Sequence, residues 1–272
     1  ISHPIFPIST QVMRADFVRA LEEVKPAFGV SSDELQSRVR GGIVPYGGKL
    51  PQLLESANGL IRQLKGSERT SLLSVLFEGP AGAGKTALAA SIALQSEFPF
   101  VKLISPESFV GISEAGKAMA IARVFDDAHK SPLSLVVLDD LERLLEYVRI
   151  GPRFSNVVLQ TLLVCIKKVP QKGKLVILAT AASAAILQSV ELLDAFNVTI
   201  DVPALGHAEA MATLQKLAIE NAAEVQPAIS AISGGIPIKK LLLVLEMSLK
   251  APTLVDAARF TTTLQEAGLL SG

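Results

Sequence analysis

Cysteine occurs once in the 272 residues, as Cys165, and neither sign of charge is in excess, with 26 basic and 26 acidic residues. A single cysteine excludes an internal disulfide. Its apolar helical setting points to core packing in a reducing, cytoplasmic compartment. Zero formal charge argues against nucleic acid or an anionic membrane as the main partner, since such proteins carry a basic excess or stripe. No segment approaches 18 uncharged apolar residues, so direct membrane insertion is not expected, and Ile1 to Pro7 lacks the basic and apolar regions of a signal peptide. A soluble protein is expected. The start at Ile1 rather than methionine suggests a piece of a longer chain. His3, His129 and His207 share no metal-ligand spacing and are expected at the surface or in loops. Internal repeats and low-complexity tracts are absent.

Against these absences stands a 49% hydrophobic content, ample for one large domain or two modest ones. Short apolar runs alternate with helical patterns: Leu72 to Glu78, Phe100 to Ile104, Leu133 to Leu138, Leu175 to Thr180 and Val198 to Val202. That alternation predicts an α/β fold with a five-stranded parallel sheet between helices and a site at the carboxyl ends of the strands. Arg14 to Lys25 and Ser31 to Arg40 read as helices in an N-terminal linker region, 1–42. The sheet domain is expected over 43–203. Beyond Pro203 the strand signals stop, and 204–272 reads as a small helical domain.

Directly after the first apolar run lies Gly79-Pro80-Ala81-Gly82-Ala83-Gly84-Lys85-Thr86, a complete phosphate-binding loop. Glycines let successive N–H groups turn inward around a phosphate chain. Lys85 is expected to reach the outer phosphates and Thr86 to offer its hydroxyl to Mg²⁺. Ala87 then continues a strong helix former whose positive N-terminal end favours the anion. The third run ends in Asp139-Asp140, where Asp139 is the expected Mg²⁺ partner of Thr86.

The phosphate loop, the run from Leu138 to Val148, and Ile150-Gly151-Pro152-Arg153-Phe154-Ser155-Asn156 resemble the second AAA domain of the N-ethylmaleimide-sensitive factor family of vesicle-fusing ATPases. Val24 to Gly29, Phe125 to Ala128, Ile238 to Leu242 and Glu246 to Leu249 extend the resemblance over nearly the whole chain. It implies an AAA+ P-loop fold with a helical lid, and ATP with Mg²⁺ as the ligands. It also implies a homohexameric parent that disassembles SNARE complexes with the SNAP adaptor, in the cytoplasm and, through partners, on vesicle and Golgi membranes. Gly42-Ile43-Val44-Pro45-Tyr46-Gly47 matches the family segment that lies against adenine, with Tyr46 in place of tryptophan. Lys239 and Lys240 stand at the start of the lid helix, where the family sets a basic residue against the γ-phosphate; a solvated helix start is the other reading.

Departures from active motors set the expected rate. Asp140 occupies the position of a water-orienting glutamate, one methylene short, and a misplaced general base costs about 10²- to 10⁴-fold. The polar residue expected after the fourth strand falls at Ala182, with Thr180 and Ser183 as substitutes. No arginine occurs from Leu175 to Lys216, where motors supply a finger worth about 10³- to 10⁵-fold. Tight retention with slow hydrolysis follows. Lys167 and Lys174 of a neighbouring subunit are candidates to reach the γ-phosphate, or simply a solvated helix end and turn. Ser108-Phe109-Val110-Gly111 offers the competing reading, a pore loop of an active protein-remodelling motor, unless Phe109 packs inward behind the helix start Ser105-Pro106. A clamp-loader-like nucleic-acid ATPase is disfavoured by the balanced charge. Asp126 and Asp127 are expected to line a solvated or subunit-facing surface, and a mean hydropathy of +0.42 fits large interfaces.

Overall fold

The computed structural model describes residues 13–15, 31–44, 49–148 and 153–270. The expected helix over Arg14 to Lys25 lies almost wholly outside the described residues, as do Tyr46 and Ile150 to Pro152 of the family-like runs.

Strands β1 (Leu72–Glu78), β2 (Phe100–Ile104), β3 (Leu133–Leu138), β4 (Lys174–Ala181) and β5 (Val198–Asp201) form a parallel sheet in the order β2-β3-β4-β1-β5. β3 and β4 are buried from their second residues onward. That is why they read as continuous apolar runs: a parallel strand covered on both faces has no solvent side to alternate with. Register is set by pairs such as Leu76 with Ala179 and Phe77 with Ile200. The chain leaves β1 and crosses two strand positions to reach β2. This leaves a crevice beyond the carboxyl end of β1, where ligands of open α/β sheets bind.

Around the sheet run α1 (Ser32–Arg38), α2 (Lys49–Gly66), α3 (Lys85–Gln95), α4 (Glu114–Ala128), α5 (Leu141–Leu144), α6 (Asn156–Lys167) and α7 (Ala184–Ser189). Alternate residues of each strand feed opposite cores. Val75, Phe77, Val137 and Val176 pack toward α1, α2 and α3, whereas Leu76, Val136, Leu138 and Ile177 pack toward α4 and α6. The alanines Ala89, Ala90 and Ala93 of α3 are buried and let that helix approach the sheet closely. Ser113 and Ser155 cap α4 and α6 by accepting from Gly116 and Val158 N–H. Cys165 is buried on α6, as its setting implied, and burial pushes its thiol pKa up.

Beyond Pro203 lie α8 (His207–Lys216), α9 (Ala222–Ser230), α10 (Ile238–Ser248) and α11 (Ala257–Glu266). The all-helical expectation misses a hairpin of β6 (Leu249–Ala251) and β7 (Leu254–Val255), and a bridge between Leu205 and Ile236. Strands of two or three residues carry too few positions to show a period. The apolar cluster under β1 continues through Leu205, Leu214, Leu241 and Phe260, joining this region to the sheet.

His207 is exposed, as expected, and His129 is the one that departs from expectation. His207 opens α8 and its Nε2 meets the Ile232 carbonyl at 2.9 Å. His129 ends α4 half-buried, its Nε2 without a hydrogen-bond partner among the described residues. Asp126 and Asp127 remain solvated, paired with Lys168 and Lys130.

Candidate nucleotide-binding site

The loop after β1 takes its shape from glycine. Gly79 has φ 152°, and a Cβ there would stand 2.0 Å from the Val202 carbonyl oxygen. Gly84 has φ 97° and closes the loop as the left-handed residue before α3. Its carbonyl already accepts the Leu88 N–H at 2.9 Å, so α3 starts at Lys85 with the helix's unpaired N–H groups facing the loop. Lys85 folds back over the loop, where Nζ donates to the carbonyls of Gly79 at 2.6 Å and Pro80 at 2.9 Å. Burial pushes its pKa down, against the pull of Glu142, Asp140, Asp139 and Glu78.

Asp139 closes the site from β3. Its Oδ1 accepts the hydroxyls of Thr86 at 2.6 Å and Thr180 at 2.8 Å. These contacts aim the carboxylate at the loop. Asp140 adopts φ 54° and donates its N–H to Thr180 Oγ1 at 2.8 Å. Its Oδ2 lies 3.2 Å from Arg143 Nε, on the outer side of the turn.

A cavity of about 560 Å³ lies over this loop, a volume suited to a small cofactor-sized ligand. Gly82 to Ala87, Asp139, Ile43, Val44 and Lys239 are among the residues that line it. Lys239 N–H donates to the Gly82 carbonyl at 3.0 Å, which ties the first turn of α10 directly to the loop. Lys240 turns the other way, toward the Ala267 carbonyl at 3.2 Å. Gly79, Pro80 and Ala81 lie outside the lining and shape the loop, while Tyr46 falls outside the described residues.

Lys167 and Lys174 do not line the cavity of their own chain. Lys167 is exposed at the end of α6; Lys174 begins β4 and donates to the carbonyls of Leu64 at 2.8 Å and Lys65 at 2.6 Å, capping α2. Phe109 closes a short turn, Pro106–Phe109, behind Ser105, and packs partly buried on the α4 and α6 side of the sheet, whereas Ser108, Val110 and Gly111 around it are exposed. This is the inward packing that the Ser105-Pro106 start implied.

Sequence reasoning missed Glu142 and Arg38. Glu142 Oε1 accepts the N–H groups of Ala182 at 2.7 Å and Ser183 at 2.9 Å, so the position expected to hold a polar side chain for water is occupied instead by a backbone-to-carboxylate clasp. Its Oε2 is buried without a partner among the described residues. Arg38 lines the cavity from the last turn of α1 and pairs with Glu107. The only sequence hint was its place just before Gly41-Gly42-Ile43-Val44.

Sheet order, glycine loop, buried lysine and converging threonine and aspartate define a P-loop module built to bind a nucleoside triphosphate. Residues 75–204 match the ATPase family associated with various cellular activities (AAA). The chain is 42% identical over 249 residues to a vesicle-fusing ATPase of Arabidopsis thaliana, covering 91% of this chain and 33% of the relative. It is 51% identical over 194 residues to the vesicular-fusion protein sec18 of Schizosaccharomyces pombe (71% of this chain, 24% of the relative). Against SEC18 of Saccharomyces cerevisiae it is 46% identical over 194 residues (71% and 26%). The chain belongs to the AAA family, as an AAA domain of the kind found in the Sec18-type vesicle-fusing ATPases, and it spans about a third or less of those relatives' length.

Proposed function

We propose that the chain is an ATP- and Mg²⁺-binding AAA+ module with weak ATPase that holds a vesicle-fusing ATPase together as a hexamer. Asp140 carries this reading. In the position of a water-orienting base it is the shorter acid, turned by a left-handed backbone and paired with Arg143. Ala182, the other expected water-holding position, offers only an N–H that Glu142 already accepts. With no arginine between Leu175 and Lys216, a finger worth about 10³- to 10⁵-fold has no source there.

The proposed assignments follow the geometry. The loop from Gly79 to Ala87 holds the phosphates, Ile43 and Val44 the base, and Lys239 the γ-phosphate from a lid formed by 204–272. Thr86 and Asp139, whose oxygens converge at 2.6 Å, are a hydroxyl and carboxylate pair suited to magnesium, and they would hold it. The ion would supply positive charge at the phosphates. Lys85 and Lys239 add charge of the same sign, while Lys167 of a neighbour is free to approach from outside. Lys174 is the weaker candidate, because its ammonium caps α2.

Exposed Met119 on α4 and Val157 and Val164 on α6 support an assembling surface. Nucleotide at about 1,000 times its dissociation constant stabilises the bound form by roughly 4 kcal/mol, enough to set the assembled state if ATP bridges subunits. In the parent, the assembly is proposed to act with the SNAP adaptor on SNARE complexes, in the cytoplasm and on vesicle and Golgi membranes through partners. No described helix is long and apolar enough to cross a membrane.

The test is phosphate release by the purified chain and by Asp140→Glu. Slow turnover that rises in the variant supports the assignment; rapid turnover in the unaltered chain favours the motor reading.

A further inference from the structure

Arg38 stands in the wall of the nucleotide cavity with Thr86 and Asp139, yet its side chain is held elsewhere. Nη1 and Nη2 donate to Glu107 Oε1 at 3.1 Å and Oε2 at 2.6 Å, and Nη2 reaches Ser105 Oγ at 3.4 Å. Nε is buried with no acceptor among the described residues. We propose that Arg38 is a phosphate contact supplied by the chain's own linker helix, stored on Glu107 until a nucleoside triphosphate draws it inward.

This rests on the nucleotide reading above and adds a residue that the loop motif does not contain. Three properties of the site support it. First, the hold is weak and the competitor strong: the Glu107 side chain is 75% exposed, so water screens the pair, whereas a triphosphate brings several charges to a partly desolvated wall. Second, the guanidinium fork matches phosphate oxygens as well as it matches a carboxylate, and Nε gains the acceptor it lacks. Third, Arg38 already lines the same cavity as Thr86 and Asp139, from a helix that is itself anchored. The α1 backbone is fixed by Leu35, fully buried, and by Ser31 N–H on the Val101 carbonyl at 2.8 Å.

Arg38 already feels Asp139 as well as Glu107, and both hold its charge in place. Asp139 and Thr86 mark the outer-phosphate end of the loop, so the contact should distinguish triphosphate from diphosphate. It would place one arginine at a site whose usual source, the segment after β4, has none.

Calorimetric titration of the full chain with Mg-ATP and Mg-ADP tests this. Arg38→Gln should weaken Mg-ATP about tenfold, the scale of one charge-assisted hydrogen bond, and Mg-ADP less than about twofold. Arg38→Lys should recover part of the loss. Glu107→Gln, at an exposed position, should tighten Mg-ATP several-fold, and that gain should vanish in the double variant. Wild-type ATP affinity in Arg38→Gln, equal losses for ATP and ADP, or a Glu107→Gln effect that survives without Arg38 would each overturn the proposal. An unaltered chain that binds neither nucleotide would instead remove the site reading beneath it.

Discussion

Thr180 Oγ1 donates to the same Asp139 oxygen that receives the Thr86 hydroxyl, at 2.8 and 2.6 Å, and in turn accepts the Asp140 N–H. One hydroxyl on β4 therefore orients both acids at the end of β3. Thr180→Val keeps the shape and removes the hydroxyl, leaving the Asp140 N–H unpaired and Asp139 less fixed. A loss of about 1–3 kcal/mol is expected in chemical denaturation, with several-fold weaker Mg-ATP binding. Unchanged stability would show that water replaces the hydroxyl at no cost.

Glu142 is expected to behave asymmetrically. Glu142→Ala leaves the Ala182 and Ser183 N–H groups without their acceptor and should cost about 2–4 kcal/mol. Glu142→Gln keeps an acceptor oxygen and replaces the unpartnered Oε2 by a donor group, so it should stay within about 1 kcal/mol of the original. Equal losses from both would mean that charge toward Lys85, not the clasp, is what matters.

His129 gives a pH dependence with a defined sign. Burial pushes its pKa below 6.5, Lys168 pushes the same way and Asp126 opposes. The unfolded chain therefore binds the proton more readily than the folded one. Its contribution is fully present above about pH 6.5 and is lost as pH falls toward the folded value. Denaturation midpoints measured from pH 7.5 to 5.5 should fall with pH. His129→Gln should flatten that slope, and an unaltered slope would assign it to other groups.

Phe109 is expected to matter for stability rather than substrate grip. Partly buried beside the α4 and α6 core, it should cost about 1–2 kcal/mol when cut to alanine, less than a fully buried phenylalanine. A stability-neutral Phe109→Ala that abolishes protein remodelling by the full-length parent would reverse that assignment.

The sheet was legible because buried parallel strands leave apolar runs with sharp ends. Observed β1, β2 and β3 coincide with the expected runs, β4 extends one residue at each end, and β5 stops one residue earlier. The loop from Gly79 to Thr86 was legible because phosphate binding needs fixed residue types in one contiguous stretch. What stayed hidden depends on partners far apart in sequence. Arg38 meets Glu107 across 69 positions, and Glu142 meets Ala182 across 40. Neither pair has local periodicity or spacing to announce it. His129 was misjudged for a related reason: it is half-buried at the end of α4, and a helix end alone reads as exposed.

The most direct test of the account is the mass of the purified chain by light scattering, with and without Mg-ATP, alongside phosphate release and the Lys85→Ala variant. The account predicts a hexamer that forms with Mg-ATP, releases phosphate very slowly, and is lost in Lys85→Ala. A hexamer that persists in Lys85→Ala without nucleotide, or a monomer that turns ATP over rapidly, would contradict it.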